Sequence, residues 1–469
     1  MRRTPLLAAA LMLLSPFPAL AQALTPSETE QVDAIVAVAL RSTGVPSASI
    51  AIVRDGKIVY AKAYGNQGPS FKTPSVDAKY PIASISKQFT AAALLLLEDD
   101  GKLSLDDPVS KYVPGITDGD KITIRQLLSH TAGLQDYWPQ DYSFAAMEIP
   151  TTPQGIVDRW AKKPLDFAPG SQWQYSNTGY VVAGMIIEKV SGMKLMDFLQ
   201  QRIFTPLDMH PVDQDHAVGK GYPIGTHRFA LGPVRPAKPA ADGWLWAMGE
   251  LAMSATDLAK WDIARIKRNV LTPQDWDEQE TAIQLTDGNS SRYGLGVFVL
   301  NQGGHKVVTH GGEAVGFLSD NSVLPNAGFA VVVLVNADFA DAQGTISSGI
   351  ARLLAPEAPR PAIDTSDEAH RLDMAKAMYA ALQKGTVDRT LLTEDARYYF
   401  TPQAVADYRD SLAPLGEPSG VSASAPRLRG GFVNRNYTLT YPDRKLRIVT
   451  YAEPGRNGRF EQFIVMPAE

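Results

Sequence analysis

Ser84 and Lys87, in the stretch Ser84-Ile85-Ser86-Lys87, lie three positions apart and so share one face of a helix. A serine hydroxyl is a weak nucleophile until a base takes its proton, and a lysine one turn later can be that base if its pKa is lowered. Burial and the positive end of a helix both favour the neutral amine. The same helix end offers a backbone N–H to a developing oxyanion. Spacing alone decides little, because Ser191-Gly192-Met193-Lys194 repeats it. There the serine is expected to close a helix before Gly192, at the negative end of the dipole, a poor place for an oxyanion.

Tyr175-Ser176-Asn177 is the second group. A tyrosine beside a lysine can relay a proton, and an asparagine can hydrogen-bond a substrate amide. This spacing also recurs, in Tyr64-Gly65-Asn66. His310-Gly311-Gly312 is the third, read as following the strand Lys306-Val307-Val308-Thr309. Two glycines at a strand end let a substrate backbone come close, and the histidine could orient a carboxylate or assist proton transfer. Taken singly, each group reads more readily as an N-cap serine with a solvated lysine, a loop tyrosine with an N-cap asparagine, or a glycine turn with a surface histidine.

The elements that must position these groups follow from the sequence pattern. Residues 30–41 have helical periodicity and stop at Thr43-Gly44. Two alternating runs flank Asp55-Gly56, a strong hairpin signal. A very apolar helix is expected over 84–98, stopping at Gly101. From 122 to about 270 short helices and loops dominate. Strands are expected over 293–300, 306–309, 319–324 and 329–335, and a helix over 341–354. Strands near both ends of one unit must meet in one sheet with helices between. That is an α+β layout with an antiparallel sheet flanked by helices and a mainly helical subdomain. Residues 355–363 are Pro-rich and read as a linker. The tail, 364–469, reads as a small α+β domain with helices over 367–384 and 403–412 and strands over 432–441, 445–451 and 460–465.

With its three motifs in this order, the chain resembles the serine β-lactamase-like hydrolases. That group includes class C β-lactamases, D-alanyl-D-alanine carboxypeptidases, D-aminopeptidases and related esterases. The flanks PIASISKQFTAAALL, LLSHTAGL, PGSQWQYSNTGYVVAGMIIEKVSG, YGLGV and THGGEAVGF carry the likeness over about residues 30 to 350. It implies a β-lactamase/transpeptidase-like fold over 24–354 and an acyl-enzyme reaction on small amides or esters, D-amino-acid peptides among them. In that scheme Ser84 is acylated, and Lys87 and Tyr175 share the proton transfers. Asn177 contacts the substrate amide and Lys87, while His310 and Gly312 line the site from the strand edge. The oxyanion hole uses the backbone N–H groups of Ser84 and Glu313. His310 stands where true class C lactamases carry lysine, which implies weak or no β-lactam hydrolysis. Glu313 stands where small residues are usual. Trp244 and Trp246 border the site in this scheme. The tail resembles the nuclear transport factor 2-like domains in element order. It is expected to dock on the hydrolase domain, shape its cleft or form a homodimer. The alternative is a catalytically silent relative that binds or scaffolds.

Composition excludes other chemistries. Lys plus Arg is 45 against 50 Asp plus Glu, a net charge of -5, with no basic excess to hold a nucleic-acid backbone. Cysteine is absent, which removes disulfides, thiol catalysis and cysteine-ligated metals. None of the seven histidines forms a His-x-x-x-His pair, so no metal site and no cofactor is expected. The expected partner is a small-molecule or peptide substrate. Arg2-Arg3, an apolar run over 6–14 and Ala19-Leu20-Ala21 read as a signal peptide over 1–21. That predicts a periplasmic or secreted protein with no membrane span after cleavage near Ala21 or Ala23.

Overall fold

The computed structural model describes residues 23–468 apart from 139–144, 214–216, 218, 220, 230, 303, 356–366 and 430–431. The expected signal peptide and nearly all of the expected linker lie outside the described residues. Two compact units divide the chain, Met1–Ala358 and Pro359–Glu469. No described helix is long and apolar enough to cross a membrane.

The first unit opens with helix α1 (Pro26–Thr43), whose N-terminus is closed by a capping box between Thr25 and Glu28. Strands β1 (Ser47–Arg54) and β2 (Lys57–Gly65) follow, joined by Asp55-Gly56 with φ of 51° and 66°. Both central residues of such a tight hairpin need positive φ, which is what Asp-Gly supplies. The central helix α2 (Lys87–Asp99) and helix α3 (Asn177–Ser191) carry two of the motifs, and α4 (Ala255–Lys267) packs beneath the sheet. Strands β3 (Phe298–Gln302), β4 (His305–Ala314), β5 (Phe317–Leu324) and β6 (Phe329–Val335) precede helix α5 (Ala342–Leu354).

The six strands form one antiparallel sheet in the order β2-β1-β6-β5-β4-β3. The early hairpin meets the late strands through β1 and β6, with Ile50 opposite Val333 and Ile52 opposite Val331. Alternation then sorts side chains between two cores. Ile50, Ile52, Val331 and Val333 face Val32, Val36, Ile346 and Ile350 of α1 and α5. Ala51, Val53, Val332 and Leu334 face Leu258 and Trp261 of α4, within the larger core that includes α2 and the helical subdomain. A sheet covered on both faces is why β6 is apolar throughout and β1 is apolar from Ile50 to Val53.

Two strands differ from expectation. The run 293–300 is strand only from Phe298, because Tyr293 to Val297 form a turn around Gly294 and Gly296. The strand expected to end at Thr309 runs on to Ala314, so His310-Gly311-Gly312 lies inside β4 rather than after it.

The second unit has helices α6 (Glu368–Gln383), α7 (Glu394–Tyr399) and α8 (Pro402–Leu412). They precede an antiparallel sheet of β7 (Gly420–Ala423), β8 (Arg427–Arg429), β9 (Phe432–Thr440), β10 (Lys445–Ala452) and β11 (Phe460–Ala468). The order is β7-β9-β10-β11, with β8 also on β9. Met378, Leu382, Tyr437, Ile448 and Phe463 form its own core. Helix α7 and strands β7 and β8 were not expected from the sequence.

Candidate active site

The segment 80–97 is buried throughout except at Ser84, whose side chain is partly exposed. Ser84 sits in a 3-10 turn, Ala83–Ser86, and regular α-helix begins at Lys87. Ala83 has φ of +46°, a left-handed conformation rare outside glycine. The turn is held from several sides. Ile82 N–H donates to the Leu251 carbonyl at 2.9 Å, and Ser319 Oγ of β5 donates to the Ile82 carbonyl at 3.1 Å. Thr90 Oγ1 donates to the Ala247 carbonyl at 2.6 Å. One residue past Lys87, Gln88 locks the rotation of α2. Its Oε1 accepts from Trp261 Nε1 at 3.1 Å and Arg265 Nη2 at 2.9 Å, and its Nε2 donates to Asn321 Oδ1 at 2.9 Å.

Gly312 explains how β4 reaches the turn. A Cβ there would lie 2.0 Å from the Ile82 carbonyl oxygen and 2.2 Å from Ser319 Oγ. Only a residue without a side chain lets the strand dock against the serine turn, which places residue 313 alongside Ser84. Gly312→Val is therefore expected to cost about 3 kcal/mol of stability through overpacking. A lowered denaturant midpoint together with lost activity would register it. A variant as stable as the parent would show that the contact is dispensable.

Lys87 is fully buried. Its Nζ lies 3.0 Å from Ser84 Oγ, 2.8 Å from Asn177 Oδ1 and 2.8 Å from the Met248 carbonyl. Burial holds its pKa well below the usual lysine range, against a smaller opposing pull from Asp136. A neutral amine has two N–H donors and one lone pair. Asn177 Oδ1 and the Met248 carbonyl can only accept, so they take both donors. The lone pair is left for the one neighbour able to donate, the Ser84 hydroxyl.

Asp136 orders the other wall. It accepts from the backbone N–H of Trp138 at 3.1 Å and of Asn177 at 3.0 Å through Oδ1. Its Oδ2 accepts from Asn177 Nδ2 at 3.3 Å, which fixes the orientation of the Asn177 amide. Burial raises the Asp136 pKa, partly offset by these hydrogen bonds.

Tyr175 leads into α3. Its ring centroid is 4.9 Å from Lys87 Nζ and stacks at 4.1 Å on the imidazole of His130. The hydroxyl atom is buried without an aligned hydrogen-bond partner, and burial pushes its pKa up, with the Ser84 hydroxyl pulling weakly the other way. Tyr175 is therefore a phenol at neutral pH. His130 is buried and accepts the Ser176 backbone N–H through Nδ1 at 3.1 Å. Burial holds its pKa well below the usual histidine range.

His310 is closed off on both nitrogens. Nδ1 is 2.6 Å from the Gly311 carbonyl, which can only accept, so Nδ1 carries the proton. Nε2 then accepts from the Tyr293 hydroxyl at 2.8 Å. Burial drives its pKa down to about 3. The expected role in orienting a substrate carboxylate has no free N–H to perform it.

Ser84, Tyr175, Asn177, His310, Gly312 and Glu313 line one cleft of about 640 Å³, with Lys87 behind Ser84. The rival Ser191 ends α3, and its Oγ accepts from Met193 N–H at 3.1 Å. The rival Asn66 lies just past β2, away from the cleft lining. Trp244 is buried and donates from Nε1 to the Ile149 carbonyl, and Trp246 packs on Gly184. From that stretch it is Met248 that reaches the cleft. Asp136, His130, Tyr293 and Met248 were not singled out from sequence. His130 falls inside the signature LLSHTAGL and Asp136 two residues beyond it, which is the signal that could have found them.

An antiparallel sheet covered by helices, joined to a helical subdomain with a serine and a buried lysine at the head of its central helix, is the architecture of the active-site-serine hydrolases. The Beta-lactamase family pattern matches residues 32–351, and the chain belongs to that family. Penicillin-binding protein 4* of Bacillus subtilis (strain 168) is 30% identical over 284 residues, 56% of this chain and 62% of that protein. A D-stereospecific amidohydrolase from Streptomyces sp. superposes with a TM-score of 0.59 at 31% identity, covering 69% of this chain and 98% of that one. The octameric penicillin-binding protein homologue from Pyrococcus abyssi shares the fold with a TM-score of 0.58 at 24% identity, covering 93% and 99%. The chain spans under two thirds of the length of the curated relatives that it matches first, 62% and 64%.

Proposed function

We propose that this protein is an exported serine hydrolase that cleaves small amides or esters through an acyl-enzyme. The carrying observation is Ser84, the one partly exposed residue in a buried stretch, with a buried lysine, its pKa lowered by that burial, 3.0 Å from its hydroxyl. Ser84 Oγ attacks the substrate carbonyl while its proton passes to the Lys87 lone pair. The carbonyl oxygen takes the negative charge and is met by the backbone N–H groups of Ser84 and Glu313. The tetrahedral adduct collapses, and the leaving amine or alcohol takes the proton from Lys87 through the Tyr175 phenol. Asn177 holds Lys87 through Oδ1 and, from its cleft position, the substrate amide. Water then attacks the acyl-serine, gives its proton to Lys87, and releases the acid and the free Ser84 hydroxyl.

Similarity to a D-stereospecific amidohydrolase and to a penicillin-binding protein supports D-amino-acid amides and peptides as the substrate class. With His310 neutral and both its nitrogens engaged, β-lactam turnover is expected to be slow. The residues at 1–21 support export to the periplasm or medium. The unit 364–469 is assigned an accessory role, with no acid–base–nucleophile group of its own among the residues singled out.

Incubation with D-aminoacyl amides, short-chain esters and nitrocefin, followed by intact mass, tests the reading. The expected result is turnover of amides or esters with a transient adduct on the Ser84 peptide. A chain that hydrolyses none of them and forms no adduct is instead the silent binding relative.

A further inference from the structure

We infer that Asp136 is a positioning residue for the proton transfer: it dictates which end of the Asn177 amide meets Lys87, and so keeps the amine's lone pair on Ser84. This rests on the serine-hydrolase reading above.

An asparagine amide has an oxygen that only accepts and a nitrogen that only donates, on a side chain that can turn over with almost no change of shape. Asn177 stands between two groups that read this polarity. Its Oδ1 is 2.8 Å from Lys87 Nζ, and its Nδ2 is 3.3 Å from Asp136 Oδ2. Asp136 is anchored independently of that amide, because its Oδ1 accepts the backbone N–H groups of Trp138 at 3.1 Å and of Asn177 at 3.0 Å. Ser176 makes no side-chain cap at the head of α3, so the carboxyl serves the first amide of the helix in its place. The loop holding Asp136 is docked on the same turn at two further points. His130 Nδ1 accepts the Ser176 N–H at 3.1 Å, and the Gln135 carbonyl accepts from Thr178 Oγ1 at 2.6 Å.

The consequence falls on the base. The unprotonated amine of Lys87 has two N–H donors, which Asn177 Oδ1 and the Met248 carbonyl take, and one lone pair, which is left for Ser84 Oγ at 3.0 Å. With the Asn177 amide turned over, its NH2 would donate into that lone pair. Lys87 would then point an N–H at Ser84, and the serine proton would have no acceptor, although every group is still in place. The working form of Asp136 is the carboxylate, since a proton on Oδ2 would make it a donor and invert the amide in the same way. Burial raises its pKa, and the N–H groups at both oxygens oppose the rise.

Asp136→Asn and Asp136→Ala separate this role from a structural one. Both remove the same charge, and the docking points at His130 and Gln135 are untouched. In Asp136→Asn the two backbone N–H groups hold the new oxygen in the place of Oδ1, so the new NH2 faces Asn177 and turns its amide. Asp136→Ala leaves the amide without a dictated orientation. The readouts are the denaturant midpoint and the second-order rate of Ser84 labelling by a fluorophosphonate, a probe with no amide for Asn177 to hold. Labelling is expected to slow on the order of 10²-fold in Asp136→Asn, as the base is lost. Asp136→Ala is expected to slow it only about tenfold. Stability is expected to follow the opposite order, with the shape-preserving Asn variant closer to the parent. A purely structural aspartate predicts the reverse for activity, with Asn the milder change. Asp136→Ser, whose hydroxyl takes either role, replaces Asp136→Ala if the latter does not fold. An Asn variant labelled as fast as the Ala or Ser variant, or within about threefold of the parent, overturns the inference and leaves the hydrolase reading intact. A parent that is not labelled at Ser84 overturns the hydrolase reading, and the inference with it.

Discussion

Ser84→Ala is expected to abolish covalent labelling by a fluorophosphonate and to lower kcat/KM by roughly 10⁴- to 10⁶-fold. Among the described residues the cleft offers no substitute nucleophile. Ser319 lines it, but its hydroxyl is spent on the Ile82 carbonyl. Ser191 has the same sequence spacing to a lysine, but it closes α3 and its oxygen is bonded to the Met193 amide. The fold should barely notice the change. The lost hydroxyl removes one hydrogen bond to Lys87, worth about 1 kcal/mol. A variant with an unchanged denaturation curve and no label therefore isolates chemistry from stability. Label that persists in the variant, or that maps to the peptide carrying Ser191, would sink the assignment of the nucleophile.

Lys87→Met is the second large effect, expected to lower kcat/KM on the order of 10³-fold by removing the base. It also carries a stability signature that no bystander lysine would show. The folded-state pKa of Lys87 lies below its unfolded value, because burial opposes the charge. Between those two values the unfolded chain holds a proton that the folded chain lacks. Parent stability must then rise with pH across that window, by about 1.4 kcal/mol per pH unit. The window runs from the lowered pKa of Lys87 up to about 10.4, the ordinary lysine value. Methionine removes the titrating group at similar volume, so the parent-minus-variant difference isolates its slope. Activity should follow the same sign, since the unprotonated amine is the active form. The rate should fall on acidification through the lowered pKa, and hold on the alkaline side, where burial keeps Tyr175 protonated. Parallel stability curves for parent and variant from pH 6 to 9 would mean that Lys87 keeps its charge in the folded state.

The sheet was legible because its strands are of two clear kinds. β6, covered on both faces, is an unbroken apolar run, β1 is apolar from Ile50 to Val53, and the Asp55-Gly56 turn joins β1 to β2. The end of β4 was not legible. Glycine pairs read locally as strand ends, whereas Gly311 and Gly312 are held in the strand by pairing with Asp320 and Ser319 of β5. Their function is close approach to the serine turn, which no local pattern encodes. Ser84, Lys87, Tyr175 and Asn177 were singled out by the order of the motifs and by their flanks, since each short spacing recurs elsewhere in the chain. Asp136 was not, because a single aspartate in a loop has no periodicity. Its meaning arises only when the loop folds against the first turn of α3. The closure of His310 was equally out of reach, since it depends on Tyr293, seventeen residues earlier in the chain.

The left-handed backbone at Ala83 has a practical consequence for anyone seeking a hardier enzyme. An alanine in that conformation costs about 1 kcal/mol or more that glycine would not, so Ala83→Gly looks like an easy route to a higher melting temperature. It would also widen the range of torsions open to the peptide immediately before the nucleophile. Heat tolerance is better sought at exposed helix positions remote from this turn, leaving the tension beneath the reactive oxygen undisturbed.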